Sequence, residues 1–293
     1  MKIFVVANPV GGNADAEELR RLLEAHLSGC VYEIFETTGK DNVSEVVAEA
    51  LERGFDLIVA AGGDGTVSAV AAGLVGRQVP MAILPFGTGN MLARELDIPL
   101  NPDDAVQLLV EGFHTRRIDG MRVKGCLSLL SVSMGITSMT MQETGREEKR
   151  HWGQFAYLWT GILQLGGRRL NRFKLEIDGK TKTVRASEVY VSNSRMVGIK
   201  PFNLGPDVQP DDGVVSVCVM RALTVWDYLQ VAIQLAFGRP RKKEIECDLA
   251  RQTVKVSAGR QIPVQADGEV VGSTPVEVEV VPAAVRVVVP RPE

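Results

Sequence analysis

The chain has 293 residues, 45% of them hydrophobic, and a formal net charge of −3 at pH 7. This length suggests two domains, each large enough to bury a hydrophobic core. The nearly balanced charge, without a long Lys/Arg-rich block, argues against a nucleic-acid-binding protein. No uncharged apolar run approaches the roughly 18 residues of a transmembrane helix, and the N-terminal run lacks a signal-peptide pattern, so we expect a cytoplasmic protein.

The cysteines and histidines do not form a metal-binding or disulfide pattern. Four cysteines are scattered along the chain without a C-x-x-C spacing: Cys30, Cys126, Cys218 and Cys247. The three histidines are isolated from one another. We therefore expect neither a disulfide framework nor a zinc site.

Residues 1–122 alternate short apolar runs with helical segments. The runs 3–7, 57–61 and 81–84 are rich in Val, Ile and Ala and indicate strands. Residues 43–53 place apolar side chains at helical spacing, and Gly54 is expected to end that helix. Such alternation predicts an α/β domain with a parallel sheet.

From about residue 123 the pattern changes to short alternating β-like runs. These runs cover residues 126–132, 173–177, 188–192, 214–220, 253–257, 262–266 and 276–281. Turn residues separate several of them, which predicts a β-rich antiparallel sandwich over residues 123–283. Two helices are expected within it, at 152–165 and 225–237. The last β-like run lies within residues 284–293, which are expected to return to the first domain.

Three apolar runs of the first domain end in glycine-bearing turns. These are Asn8-Pro9-Val10-Gly11-Gly12, Gly62-Gly63-Asp64-Gly65-Thr66 and Pro85-Phe86-Gly87-Thr88-Gly89-Asn90. Each turn alone is also explained as an ordinary strand-to-helix connection. Together they are typical of a phosphate site, because parallel strands bring such turns to one sheet edge. A carboxylate within the turn, Asp64, indicates a cation or a substrate hydroxyl beside the phosphate, and hence phosphoryl transfer.

The ordered set of motifs resembles the diacylglycerol kinase catalytic domain family, which includes sphingosine kinases and bacterial lipid kinases. Asp267-Gly268-Glu269, followed by Thr274-Pro275, completes a resemblance that runs nearly end to end. The chain departs from the family at Asn13, at Ser68-Ala69 and at Met91, where Lys, Asn-Glu and Asp are usual.

This resemblance implies ATP and Mg²⁺ as cofactors, with ATP between the two domains. The residues expected to bind the nucleotide are Asn8, Pro9, Val10, Gly11, Gly12, Thr37, Gly62, Gly63, Asp64, Gly65, Thr66, Gly87, Thr88 and Asn90. Asp64 is further expected to hold Mg²⁺ or the substrate hydroxyl. Gly179-Lys180-Thr181 does not form a Walker A motif, because Lys174 stands where its first glycine belongs, and it is better explained as a hairpin tip.

Asp267-Gly268-Glu269 has two interpretations. Asp-Gly between two β-like runs is typical of a hairpin turn, and the dipeptide also begins at Asp119, Asp178 and Asp212. The resemblance instead implies that Glu269 accepts the proton of the substrate alcohol. Such a base is needed because an alcohol is a poor nucleophile until a carboxylate takes its proton.

Two further carboxylates are candidates. Asp212 lies in a turn that is either solvated or, as the resemblance implies, a Mg²⁺ site completed by the carbonyl groups of Gln209 and Val214. Asp119 matches an acidic position that is expected to help order the active site.

We therefore expect a lipid kinase that transfers the γ-phosphate of ATP to a hydroxyl of a lipid such as diacylglycerol. An NAD kinase-like enzyme and a non-catalytic lipid- or nucleotide-binding relative remain alternatives. The apolar segment 222–237, followed by basic residues at 239–243, is either a core helix with a solvated loop or a contact with a membrane surface. The expected partner is a lipid at the membrane surface, and the sequence leaves a homodimer open.

Overall fold

The computed structural model describes residues 1–8, 16–110, 114–143, 170–194, 208–222 and 245–291, with 224, 226, 227 and 230. The chain divides into two compact units. The first contains Met1–Asp119 and Ala283–Glu293, and the second contains Gly120–Pro282. The chain therefore passes between the units twice, once after Asp119 and once before Ala283.

The first unit alternates strands and helices along the chain. Its strands are β1 (Lys2–Ala7), β2 (Val31–Glu36), β3 (Leu57–Gly62) and β4 (Met81–Pro85). Its helices are α1 (Ala16–His26), α2 (Val43–Glu52), α3 (Asp64–Leu74), α4 (Met91–Glu95) and α5 (Pro102–Val110). Two longer strands, β5 (His114–Val123) and β16 (Val276–Val289), are each divided between the units. This alternation confirms the predicted α/β fold.

The sheet of the first unit is parallel, with the order β2-β1-β3-β4 and the end of β16 beside β4. In β1, Ile3 is in register with Tyr32 of β2 and with Leu57 of β3. All residues of β3 and β4 are buried, which explains their continuous apolar sequence. Because β1 lies between β2 and β3, the strand order reverses there, and the switch point of the sheet lies between β1 and β3.

Helix α2 has the features that its sequence predicts. Val47 and Ala50 are buried on its inner face. The N–H of Arg53 donates to the carbonyl of Ala50, and Gly54 follows with φ of 72°, which glycine adopts without strain. The helix packs against α3 at Gly73, where an added Cβ would lie 2.8 Å from Val47 Cβ. Gly54 therefore ends the helix, and Gly73 permits its close packing.

The second unit is built mainly from antiparallel strands. They are β6 (Cys126–Ser128), β7 (Ser131–Gly135), β8 (Asn171–Ile177), β9 (Lys180–Ala186), β10 (Glu188–Ser192), β11 (Val215–Met220), β12 (Ile245–Ala250), β13 (Thr253–Ala258), β14 (Pro263–Ala266) and β15 (Glu269–Ser273). Helix α6 (Ile136–Glu143) follows β7 directly.

Two sets of paired strands form a sandwich in this unit. One sheet has the order β12-β11-β10-β7-β14-β15, and the strands β16, β13, β8 and β9 pair in that order in the other. Alternate residues of both sets face a shared core, in which Val189, Val191, Phe173, Leu175 and Val254 are fully buried. The predicted antiparallel β sandwich is confirmed.

One predicted run is wrong in its extent. Residues 126–132 form two strands, β6 and β7, separated by Leu129 and Leu130. The N–H groups of Leu129 and Leu130 donate to the carboxylate of Asp267 at 2.7 and 3.1 Å, which ends the strand pairing there. Strands β9, β12 and β15 are also absent from the predicted runs, although Ile245, Cys247 and Leu249 of β12 do alternate with Glu246 and Asp248.

The expectation about disulfides also needs correction. Cys218 of β11 and Cys247 of β12 form a disulfide across 29 residues of sequence. The two residues are directly opposite in the antiparallel pairing of their strands. Sequence spacing does not reveal this bridge, because strand register, which is a long-range property, brings the two sulfur atoms together.

Three of the sequence-based expectations concern segments that lie wholly or mostly outside the described residues. The helix predicted over 152–165 lies outside them, as do the basic residues of 239–243. Of the helix predicted over 225–237, only residues 226, 227 and 230 are described, and Trp226 is 63% exposed. Within the described part of the chain, no helix has the length and apolar character needed to cross a membrane.

Candidate active site

The turn between β3 and α3 begins with two glycines. Gly62 ends β3, Gly63 is the N-cap of α3, and Asp64 is the first residue of that helix. A Cβ added to Gly62 would lie 2.5 Å from Thr66 Oγ1, so glycine lets the first helical turn fold back over the strand end. Gly63, as the N-cap residue, makes no side-chain hydrogen bond to the first N–H groups of α3.

The turn between β4 and α4 is closed by Asn90, which adopts φ of 48°. Its Oδ1 accepts the N–H of Gly87 at 3.1 Å, and its Nδ2 donates to the carbonyl of Gly87 at 2.8 Å. A Cβ added to Gly87 would lie 2.4 Å from Gly63 Cα. The N–H of Phe86 also donates to the carbonyl of Gly62 at 3.1 Å. The two glycine turns are therefore in direct contact.

Asp64 joins these two turns. Its Oδ1 accepts the N–H of Met91, the first residue of α4, at 2.6 Å. The carboxylate thus caps α4 from a neighbouring turn. Because this bond uses the backbone N–H of residue 91, it does not depend on the methionine side chain. The role of Asp64 toward Mg²⁺ or a substrate hydroxyl stays a prediction.

Strands β1 and β2 end at the same sheet edge. The N–H of Asn8 donates to the carbonyl of Ala61 at 3.1 Å, and the N–H of Thr37 donates to the carbonyl of Ala7 at 2.8 Å. Thr37 is buried, and its Oγ1 has no hydrogen-bond partner among the described residues. Since a buried hydroxyl without a partner is unfavourable, this position suits a ligand that supplies a hydrogen bond.

The structure thus gathers the described nucleotide-site candidates at the carboxyl ends of four neighbouring strands. They are Asn8, Thr37, Gly62, Gly63, Asp64, Gly65, Thr66, Gly87, Thr88 and Asn90. The other four, Pro9, Val10, Gly11 and Gly12, lie outside the described residues. The helix N-terminus, the glycines and the neutral polar groups fit a nucleotide bound at the switch point of a parallel sheet.

Asp119 makes a contact within the first unit that the sequence does not reveal. The residue is 2% exposed, and its Oδ1 accepts the N–H of Ala283 at 2.7 Å. Ala283 adopts φ of 50°, an uncommon conformation for a residue with a Cβ. Asp119 therefore ties together the two places where the chain leaves and re-enters this unit. Its effect on the active site stays a prediction.

In the second unit, Asp267 and Gly268 form the tip of the β14–β15 hairpin. Asp267 accepts four hydrogen bonds, from Ser128 Oγ at 2.8 Å and from the N–H groups of Leu129, Leu130 and Ser131 at 2.7, 3.1 and 2.9 Å. Glu269, which follows, is exposed. The two carboxylates are thus used differently: Asp267 anchors the hairpin, and Glu269 faces solvent. The sequence did not predict the anchoring role of Asp267.

The Asp212 turn is closed by hydrogen bonds from its backbone N–H groups to the Asp212 carboxylate. The carboxylate accepts the N–H of Gln209 and the N–H of Val214, each at 2.9 Å, and the N–H of Asp212 donates to the carbonyl of Gln209 at 3.4 Å. These three residues are close together, as expected, but the amide groups are what contact the carboxylate. No cluster of three His, Cys, Asp or Glu side chains suited to a metal occurs among the described residues. The Mg²⁺ role of this turn stays a prediction.

A parallel sheet with glycine turns at the carboxyl ends of its strands, together with an antiparallel sandwich, defines the diacylglycerol kinase and NAD kinase-like fold. Residues 2–123 match the diacylglycerol kinase catalytic domain. Residues 130–289 match the YegS C-terminal NAD kinase beta sandwich-like domain. The chain therefore belongs to the diacylglycerol kinase catalytic domain family.

Individual relatives agree with this assignment. The chain is 31% identical to a "Probable lipid kinase YegS-like" of Stenotrophomonas maltophilia, over 96% of this chain and 94% of the relative. It is 27% identical to a "Diacylglycerol kinase" of Mycobacterium tuberculosis, over 99% of this chain and 96% of the relative. The crystal structure of a diacylglycerol kinase from Bacillus anthracis has the same fold, with a TM-score of 0.81 and 23% identity over 99% of this chain and 97% of that one.

Proposed function

We propose that this protein is an ATP-dependent lipid kinase that transfers the γ-phosphoryl group to a hydroxyl of a lipid such as diacylglycerol. Membership of the family and the names of two relatives support a kinase. The observation that carries the proposal is the pair of glycine turns that Asp64 joins at the edge of the parallel sheet. This arrangement supplies backbone N–H groups and a carboxylate at one place, as phosphoryl transfer requires.

The residues of the first unit would bind the nucleotide. Backbone N–H groups at the N-terminus of α3 would donate to phosphate oxygens, which the partial positive charge of the helix end favours. The buried hydroxyl of Thr37 would gain the partner that it lacks among the described residues. Catalysis would then depend mainly on positioning and on neutralising charge.

Glu269 would act as the general base. As the lipid oxygen forms its bond to the γ-phosphorus, the O–H proton would pass to the Glu269 carboxylate, and the bond to the leaving ADP would break. Because Asp267 holds the hairpin by four hydrogen bonds, the Glu269 backbone has a fixed place while its side chain stays accessible.

Mg²⁺, when bound, would neutralise part of the phosphate charge. Asp64 offers carboxylate oxygens within the nucleotide turn, and Asp212 offers them on an exposed turn of the second unit, where Gln209 and Val214 would supply carbonyl oxygens. Hard oxygen ligands of this kind suit the ion.

The lipid acceptor implies work at a membrane surface. Trp226 is a described residue that supports such a contact, because its large side chain is 63% exposed. We expect Trp226→Ala to reduce co-sedimentation of the protein with anionic lipid vesicles. Unchanged co-sedimentation would remove this residue from the proposed contact.

The test of the function is a phosphorylation assay with a panel of acceptors. The protein is incubated with γ-labelled ATP, Mg²⁺ and, separately, diacylglycerol, a sphingoid base, phosphatidylglycerol or NAD. We expect label in one or more lipids and none in NAD. Label in NAD alone would favour an NAD kinase-like enzyme, and ATP binding by calorimetry without transfer to any acceptor would favour a non-catalytic relative.

A further inference from the structure

One carboxyl group lies deep in the second unit and has no place in the proposed chemistry. Glu188 is the first residue of β10, is 5% exposed, and is in register with Gly135 at the end of β7. Its Oε2 accepts the N–H of Thr137 at 3.0 Å. Its Oε1 is buried and has no hydrogen-bond partner among the described residues. Such a group in a folded protein needs a physical explanation.

Residues 187 and 188 satisfy the first backbone N–H groups of α6. The N–H of Ile136 donates to the carbonyl of Ser187 at 3.2 Å, while that of Thr137 donates to Glu188. The first N–H groups of a helix have no partners within it, and a carboxylate beside them is favoured by the helix dipole. Glu188 thus caps α6 from a neighbouring strand rather than from its own sequence.

Gly135 shows how closely these parts fit. It adopts φ of 145°, and an added Cβ would lie 2.3 Å from the carbonyl oxygen of Ser187 and 2.7 Å from Glu188 Oε2. The change from β7 to α6 therefore occurs in direct contact with Glu188. A shift of the Glu188 side chain would move the first turn of the helix.

Helix α6 in turn lies against β14 and β15, the two strands of the hairpin that carries Glu269. The tip of the same hairpin is fixed by Asp267 to residues 128–131, which lead into β7. The hairpin is thus held at its tip by Asp267 and along its strands by α6. Glu188 accepts a hydrogen bond from the first turn of α6, and it therefore affects the support that α6 gives to the two strands.

The burial of Glu188 is unfavourable in itself. Removal from water raises the pKa of this carboxyl to about 7, against the opposing effect of the hydrogen bond from the Thr137 amide. An apolar side chain would fill the same space without a desolvation cost. What glutamate adds, and an apolar residue lacks, is an acceptor for the first turn of α6.

We propose that Glu188 is a positioning residue: by accepting the Thr137 N–H it fixes α6, and α6 fixes the β14–β15 hairpin that presents Glu269. The consequence for catalysis rests on the proposed function. The mechanical coupling between residue 188 and the hairpin does not depend on it.

The test compares Glu188→Leu, which removes the acceptor, with Glu188→Gln, which keeps it. Val254→Ala on β13 is the matched control, because it creates a cavity at a fully buried position in the other sheet. Hydrogen exchange of the full chain is measured first. We expect Glu188→Leu to speed exchange about 10-fold at residues 136–139 and 266–271, and Glu188→Gln to stay within about 3-fold of the native protein. The control should leave both segments near their native rates.

Kinetics give a second readout. Glu188→Leu should lower kcat for lipid phosphorylation about 10-fold with little change in KM for ATP, because a misplaced base slows the chemical step. Glu188→Gln should recover kcat to within about 3-fold. The Val254→Ala control should lose stability without this loss of kcat.

Several results would overturn the inference. Faster exchange in α6 with an unchanged hairpin would show that the two are not coupled, and equal behaviour of the Gln and Leu variants would show that the acceptor is not the reason for the residue. If Glu188→Leu does not fold, Glu188→Asp, which withdraws the acceptor by one methylene, should give the same exchange pattern at smaller amplitude. A native protein that phosphorylates no lipid would reject the proposed function, while the exchange result would still decide the coupling.

Discussion

Two hairpins of the second unit have the same turn conformation and are anchored in the same way. Asp178-Gly179 joins β8 to β9, and Asp267-Gly268 joins β14 to β15. The φ angles are 46° and 81° in the first pair and 44° and 91° in the second, as tight two-residue hairpin turns require. In both hairpins the Asp carboxylate accepts three N–H groups of a neighbouring turn, at 2.8 to 3.0 Å in the first and 2.7 to 3.1 Å in the second.

The difference lies in the residue that follows. Lys180 follows the first pair and Glu269 follows the second, and both are exposed. The Asp178 hairpin is also linked to the opposite sheet, since Lys182 of β9 forms ion pairs with Glu246 and Asp248 of β12. Asp-Gly is thus a structural device in both places. The residue that distinguishes the second hairpin from the first is therefore Glu269.

The largest effect on activity should come from replacing the residue that follows Asp-Gly in each hairpin, Lys180 or Glu269, by glutamine. Glu269→Gln is expected to lower kcat for lipid phosphorylation about 100-fold or more, because it removes the proton acceptor but keeps the shape. Lys180→Gln is the matched change and should leave kcat near the native value. Steady-state rates with labelled ATP, and ATP binding by calorimetry, measure both. A Glu269→Gln protein with native turnover would rule out the general base.

Removing the anchors should separate activity from stability. Asp267→Ala leaves three N–H groups and a hydroxyl without their acceptor, so we expect a loss of about 3 kcal/mol in the free energy of unfolding and a reduced kcat. Asp178→Ala should cost less than about 1 kcal/mol, because its anchor is exposed and screened by solvent, and should leave kcat unchanged. Urea unfolding and steady-state kinetics provide the comparison. Equal loss of activity in the two variants would mean that the hairpins do not differ in function.

Replacing the turn glycine of either hairpin, Gly179 or Gly268, should lower the free energy of unfolding by a similar amount. An added Cβ meets nothing within 4 Å at Gly179 or Gly268, so only the positive φ opposes a side chain. Gly179→Ala and Gly268→Ala are each expected to lower the free energy of unfolding by about 1 kcal/mol. Thermal and urea unfolding of the two variants would test this. A much larger loss at one site would show that the backbones of the two hairpins are not equivalent in their energetics.

The smallest expected effect is the loss of stability at acid pH that comes from protonation of Glu246. Hydrogen bonds and charge from Arg221 and Lys182 lower the pKa of Glu246 to about 2. A lowered pKa in the folded state gives stability that is present above the unfolded value of 4.5 and lost as the pH falls toward 2. Because these groups are partly exposed, solvent screening keeps the effect small. Glu246→Gln should flatten the dependence of unfolding free energy on pH between 4.5 and 2, and an unchanged slope would count against the ion pairs.

Much of the fold follows from local sequence. Val47 and Ala50 mark the buried face of α2, and Gly54 marks its end. The three glycine turns and the Asp-Gly hairpins are visible because glycine at a strand end and Asp-Gly between strands have specific backbone requirements. The class of fold, and the meeting of the described glycine turns at one sheet edge, could therefore be predicted.

The remaining contacts join residues far apart in the chain and could not be predicted from the sequence. Asp64 reaches Met91 across 27 residues, and Asp267 reaches Ser131 across 136. No local pattern encodes such pairs, because they depend on which turns the sheet brings together. The burial of Glu188 could not be predicted for a similar reason. A glutamate at the start of a strand is normally exposed to solvent, and here the pairing of the strand with Gly135 brings the residue into the interior.

The central claim is tested most directly by a single-turnover experiment. Native protein saturated with γ-labelled ATP and Mg²⁺ is mixed with diacylglycerol micelles, and the label in the lipid is followed in time beside Glu269→Gln. We predict transfer of label to the lipid by the native protein and transfer at least about 100-fold slower by the variant, with equal ATP binding. Equal transfer rates, or no labelled lipid from native protein that binds ATP, would contradict the account.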